Sequence, residues 1–176
     1  ERAASIAGRT GDVLCQGRVL EQRGIACALG GDFAGSREQL QEARSLLRPH
    51  LKLENLTASG NDKALCAAYI GATSNLGQAE QRLGNLEAAL HLKQEALQLA
   101  ERWDDQLLMA RAHAGVGEIL GLMQRVPEAI SALRTALDLL GRLGATAQEE
   151  VVRRQLNTLY TAQPEIHPTL STPGGS

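Results

Sequence analysis

Apolar residues in this chain return every three or four positions, the interval of a helix rather than the alternation of a strand. The stretch RLGNLEAALHLKQEALQLAER, residues 82–102, reads as a turn followed by an amphipathic helix, with leucine and alanine on one face and Glu, Gln and Lys between them. Two further stretches, QRGIACALGGDFAGSREQLQEARSLL and AGVGEILGLMQRVPEAISALRTALDLL, carry the same pattern. Aligned on Gly24, Gly77 and Gly117, they share a small residue twelve positions on (Ser36, Ala89, Ala129) and an alanine nineteen positions on (Ala43, Ala96, Ala136). Between the glycine and the first small residue lies a turn: Gly31-Asp32, Gly84-Asn85, or Gln124-Arg125 with Pro127 opening the next helix.

Such a register has a physical cause. Two antiparallel helices that approach closely need a missing side chain where they cross, so glycine is expected to face the small residue while leucines fill the flanks. Glycine inside a helix costs about 1 kcal/mol against alanine, so three at matching places point to close packing in a repeated unit.

With Leu76-Gly77, Ala89 and Ala96 in one copy and Val116-Gly117, Ala129 and Ala136 in another, the sequence resembles the tetratricopeptide repeat family. The resemblance covers roughly residues 11 to 162. It implies an all-α fold, an α-α superhelix (right-handed solenoid) of helical hairpins. The first copy departs from the pattern at Arg23 and Ser36, and Glu80 and Leu120 stand where the family often has tyrosine. From Gly77 to Gly117 is forty residues, and the longer unit, with ERWDDQ at its junction, is similar to the repeats of the Pins and Leu-Gly-Asn-enriched protein family and of kinesin light chain.

The same ruler organises the chain. Residues 1–10 are expected to end a helix of an upstream repeat, 11–48 to form a degenerate repeat, and 49–62 an inserted loop rich in turn formers. Repeats follow at 63–104 and 105–145, then a closing helix at 146–162 and a disordered tail at 163–176 with three prolines and two glycines. The expectation is three hairpins and one closing helix.

Composition removes several functions. A formal net charge of −2 gives no general attraction to phosphate or anionic lipid, so neither nucleic acid nor a membrane surface is expected as partner. No secretory-leader pattern opens the chain and no apolar run reaches a membrane span, which makes the expected location cytoplasmic. Cys15, Cys27 and Cys66 are scattered and suit small hydrophobes in a reducing compartment. The histidines lack metal-ligand spacing, and His113 is read as a core or boundary residue. Gly115, Gly117 and Gly121 are one residue too long for a dinucleotide fingerprint and are assigned to helix packing. Trp103 is expected to wedge between repeats, with ligand stacking as the alternative. No catalytic residue, metal site or small-molecule cofactor is predicted, and the chain is read as no enzyme.

What remains is a binding face. At 100° per residue, four places in each first helix of a hairpin fall within about 60° of one another, away from the packing arc. The polar residues there are Arg18 and Gln22, then Asn75, Gln78 and Arg82, then Arg111 and Glu118, with Gln155 from the closing helix. Three arginines and several amides against one glutamate predict a concave groove that takes an extended or helical, acidic segment of a partner protein, as in a signalling scaffold. The Pins-like resemblance implies the same role for Arg111 and Asn75, and Lys93 on a second helix is expected to be indifferent. The other class left open is a regulatory sensor module, binding a small peptide or ligand and controlling an attached effector domain.

Overall fold

The computed structural model describes residues 10–51 and 60–162, so the expectations for residues 1–9, for 52–59 of the inserted loop and for the tail at 163–176 lie outside the described residues. Among the described residues every regular element is helical. In chain order they are α1 (Thr10–Leu29), α2 (Phe33–Leu47) followed by a 3₁₀ turn (Arg48–His50), α3 (Gly60–Arg82), α4 (Leu86–Arg102), α5 (Gln106–Leu122), α6 (Val126–Leu143) and α7 (Thr146–Ala162). Three of the junctions are hairpins, and α7 closes the series.

The chain divides into two compact units, residues 1–105 and 106–176. In the first, α1 packs on α2 and α3 on α4, and α3 also lies against α2 and α1. In the second, α5 packs on α6, and α7 lies mainly against α6. Each unit has its own core: Leu40, Leu76, Ala79 and Leu92 cluster in the first, and Ile130, Leu133, Leu140, Val152, Leu156 and Tyr160 in the second.

The three hairpin turns share one hydrogen-bond pattern. The amides of Asp32, Asn85 and Arg125 each donate at 2.9 Å to a carbonyl five residues back, of Cys27, Glu80 and Leu120. This arrangement needs a left-handed residue just before, and Gly31 (φ 83°), Gly84 (φ 85°) and Gln124 (φ 61°) supply it. Asp32 also caps α2, its Oδ1 accepting from the Gly35 amide at 2.8 Å. Asn85 turns its Nδ2 back to the buried Glu80 at 2.7 Å, so the glutamate in the place often given to tyrosine fastens the turn.

At the helix crossings the six small residues of the sequence register are all sealed: Ala43, Ala89, Ala96, Ala129 and Ala136 are 0% exposed and Ser36 is 1% exposed. What each glycine faces differs from expectation. A methyl on Gly24 would lie 2.6 Å from Leu40 Cγ, and one on Gly117 2.7 Å from Leu133 Cγ and 3.1 Å from the Ala129 carbonyl oxygen. At these two crossings the space opened by glycine admits a leucine of the facing helix, with the small residue a turn earlier, and at Gly117 the carbonyl of that residue, Ala129, also comes near. Gly77 is looser, its nearest neighbours being the Ala89 carbonyl oxygen and Lys93 Cε, both 3.3 Å from where a methyl would stand.

A polar clamp, invisible in the periodicity, ties three helices of the first unit. Arg44 of α2 pairs with Glu95 of α4 at 2.6 Å and donates to Thr73 Oγ1 of α3 at 3.0 Å. Tyr69 of α3 donates its hydroxyl to Glu95 at 2.7 Å, and burial, then the Glu95 bond, holds its phenol above the ordinary range. In the second unit Arg134 of α6 donates to the Tyr160 hydroxyl of α7 at 2.6 Å and lies 5.8 Å from the ring centroid.

Candidate binding surfaces

The first unit holds a cavity of about 240 Å³ between the end of α1, the start of α2 and the end of α3. Ile25 and Leu29 form one wall, Phe33 and Ser36 the base, and Asn75, Gln78 and Arg82 the polar side. Helical spacing explains the set: positions 75, 78 and 82 of α3 lie one turn apart on one face. Arg82 stands over the Phe33 ring at 5.3 Å from its centroid, which holds the guanidinium at the rim. Leu29 is 85% exposed, a large apolar side chain left in solvent beside this opening. Ser36 Oγ is buried and has no hydrogen-bond partner.

Three of the predicted residues thus come together with apolar neighbours. Arg18 and Gln22 are exposed on α1 and do not line the cavity. Between them and it stands Glu21, which the periodicity did not single out. Its Oε1 accepts from Asn75 Nδ2 at 3.0 Å and rests where a side chain on Gly71 would be, 2.5 Å from that methyl position. Burial pushes the Glu21 carboxyl above its ordinary range, partly offset by Arg18 and by the Asn75 bond. The expected one-glutamate stripe is therefore not uniformly basic: in the first unit an acidic side chain already occupies the asparagine. Its position three residues after Arg18, within reach on the same helical face, was the signal available for it.

In the second unit Glu118 and Gln155 line a cavity of about 390 Å³ whose other walls include Gly121, Leu122, Leu133 and Leu159. Gln155 Nε2 reaches Glu118 Oε2 at 3.5 Å, while Gln155 Oε1 is buried without a partner. Arg111 is exposed on α5 and is not among the residues lining this cavity.

Lys93, expected to be indifferent to a partner, packs its Cε against Gly77 and donates from Nζ to Ser74 Oγ at 2.9 Å. Gly115, Gly117 and Gly121 lie inside α5, in helical backbone and not in a phosphate-cradling loop. Cys66 is buried, and burial together with the Asp105 charge pushes its thiol up to about 12, while Cys15 is exposed. Among the described residues no three His, Cys, Asp or Glu side chains come together as a metal site, and no helix is long and apolar enough to cross a membrane.

Helical hairpins that recur along the chain, each sealed by small residues at its crossing, define a helical-repeat fold. Residues 68–142, which take in the α3–α4 and α5–α6 hairpins, match the family model for the tetratricopeptide repeat. The solved structure of BtubC (BKLC) from P. vanneervenii is similar in fold, with a TM-score of 0.73 at 17% identity, over 92% of this chain and 61% of that one. The chain thus spans less than two thirds of that neighbour. No curated protein matches it. Tetratricopeptide repeats generally mediate protein–protein interaction and are typically non-catalytic.

Proposed function

We propose that the chain is a non-catalytic protein-interaction scaffold in which the hairpins at 11–48, 63–104 and 105–145 act as repeats and a partner segment is captured on their first helices. The observation that carries this is the cavity of the first unit, where the exposed Leu29 and the ring of Phe33 meet Gln78 and Arg82. An apolar side chain of the partner fits between Ile25, Leu29 and Phe33, and a carboxylate beside it fits Arg82, whose planar guanidinium offers paired donors. Arg18, exposed on the same unit, extends the preference for an acidic segment.

Peptide selection from a displayed random library, using the full chain, tests this. Selected peptides should carry an apolar residue near Asp or Glu, bind more weakly as salt rises, and fail to bind Arg82→Glu. That variant should keep the circular dichroism and denaturation midpoint of the parent, because an exposed rim residue carries little stability. Selected peptides that bound Arg82→Glu equally well would overturn the assignment.

A further inference from the structure

We infer that Glu21 is a positioning residue that fixes Asn75 as a hydrogen-bond acceptor toward the first-unit cavity, so that this place reads an N–H group of the bound segment and rejects a carboxylate. The inference deepens the scaffold reading of the same cavity and rests on it.

An asparagine amide ordinarily has two orientations that differ only by exchange of its oxygen and nitrogen. Here chemistry separates them. An ionised carboxylate only accepts, so the amide edge within 3.0 Å of Glu21 Oε1 must be Nδ2. Asn75 lines the cavity and Glu21 does not, which leaves Oδ1, on the other side of the amide, as the atom Asn75 offers to an occupant. The latch depends on Gly71, one turn before Asn75 on α3, because any side chain there would meet the Glu21 carboxylate. Two helices therefore contribute three residues to one result: space from Gly71, an acceptor from Glu21, and a fixed amide from Asn75.

An acceptor at that place pairs with a backbone N–H of an extended segment, or with a side-chain amide. A partner carboxylate would face both Oδ1 and the Glu21 charge behind it and would be turned away. Arg82, on the far side of the same cavity wall, takes the carboxylate instead. The segment selected is then ordered: a donor at Asn75, an apolar side chain in the middle, an acid at Arg82.

The test compares the wild-type chain with Glu21→Gln. Glutamine can donate or accept, so it no longer dictates the orientation of Asn75. Against peptides selected on the wild type, replacing the residue next to Asn75 by Asp should weaken wild-type binding about tenfold more than Glu21→Gln binding. Side-chain amide NMR gives a readout that a purely structural role would not move. At neutral pH the Asn75 Nδ2 protons should be shifted and exchange slowly in the wild type, and lose both features in Glu21→Gln. Equal peptide preferences in the two proteins, or Asn75 amide signals that do not change, would overturn the role of Glu21. A selection that returns no peptide, or the same peptides on Arg82→Glu, would instead overturn the scaffold reading of the cavity.

Discussion

The α3–α4 and α5–α6 hairpins reach the same turn geometry with different residues. In the first, Gly84 takes the left-handed position at φ 85° and Asn85 is tied to the buried Glu80. In the second, glutamine takes it at φ 61°, and Arg125 pairs instead with Glu128 at 2.6 Å on the surface, ahead of Pro127. Yet both close with the same bond, from Asn85 to Glu80 and from Arg125 to Leu120, at 2.9 Å. At the crossings no such freedom exists, since Ala89 and Ala129 are both 0% exposed. Crossing residues set the repeat, and turn residues adjust to it, at a cost of about 1 kcal/mol where the left-handed residue is not glycine.

The two hairpins are most sensitive to change at their crossings. Ala89→Leu and Ala129→Leu should each lower stability by about 3 kcal/mol, because added methylenes have no void to enter. Urea denaturation checks this, and an unchanged midpoint would mean that the crossing is not where the register puts it. The glycines sharpen it further. Gly117→Ala should destabilise, its methyl falling 2.7 Å from Leu133 Cγ, whereas Gly77→Ala meets nothing nearer than 3.3 Å and should cost less.

Next in size is the difference between the two arginine clamps. Arg44→Leu leaves the half-buried Glu95 charge with only the Tyr69 hydroxyl as donor and should cost about 2 kcal/mol. Arg134→Leu takes two charged donors from a neutral phenol and should cost about 1 kcal/mol. Equal losses in denaturant titrations would show that Glu95 adds nothing to the first clamp. Smaller gains are expected where a unit departs from its own rule. Gln124→Gly relieves a left-handed side chain and should stabilise the second unit by about 1 kcal/mol. Ser36→Ala removes a buried hydroxyl with no partner and should stabilise the first unit by a similar amount. A fall in the midpoint for either variant would contradict the account of that position.

Periodicity made the helices and the crossing residues legible because both rest on which positions are small or apolar, and that is written directly in the chain. Gly24, Gly77 and Gly117 with their partners follow from it. The identity of the facing residue did not, since whether a leucine or a carbonyl fills the gap left by glycine depends on the distance between helix axes. The polar contacts were least legible. Arg44 meets Glu95 across fifty-one positions, and no local spacing announces a pair that three helices bring together. Asn75, Gln78 and Arg82 share a cavity wall as one helical face should, whereas Glu21 escaped notice because its role depends on a glycine of another helix.

Glu21 also separates the units, in the smallest effect expected here. Three residues before Gly117, where Glu21 stands before Gly24, the second unit has Ala114, so a titration at this place belongs to the first unit alone. Burial holds the Glu21 carboxyl above its ordinary range, with Arg18 and Asn75 only partly opposing it. The folded chain therefore keeps a proton at pH values where the unfolded chain, titrating at about 4.3, has lost it. The stability this contributes is full below the unfolded value and is lost as pH rises through the raised one. Glu21→Gln stays uncharged throughout, so it should match the wild type in acid and become the more stable of the two as pH rises toward neutrality. Denaturation midpoints of both proteins across that range measure the gap. A gap that narrowed with rising pH would mean that Asn75 and Arg18 stabilise the ionised carboxylate more than burial opposes it, and would reverse the account of what Glu21 costs the fold.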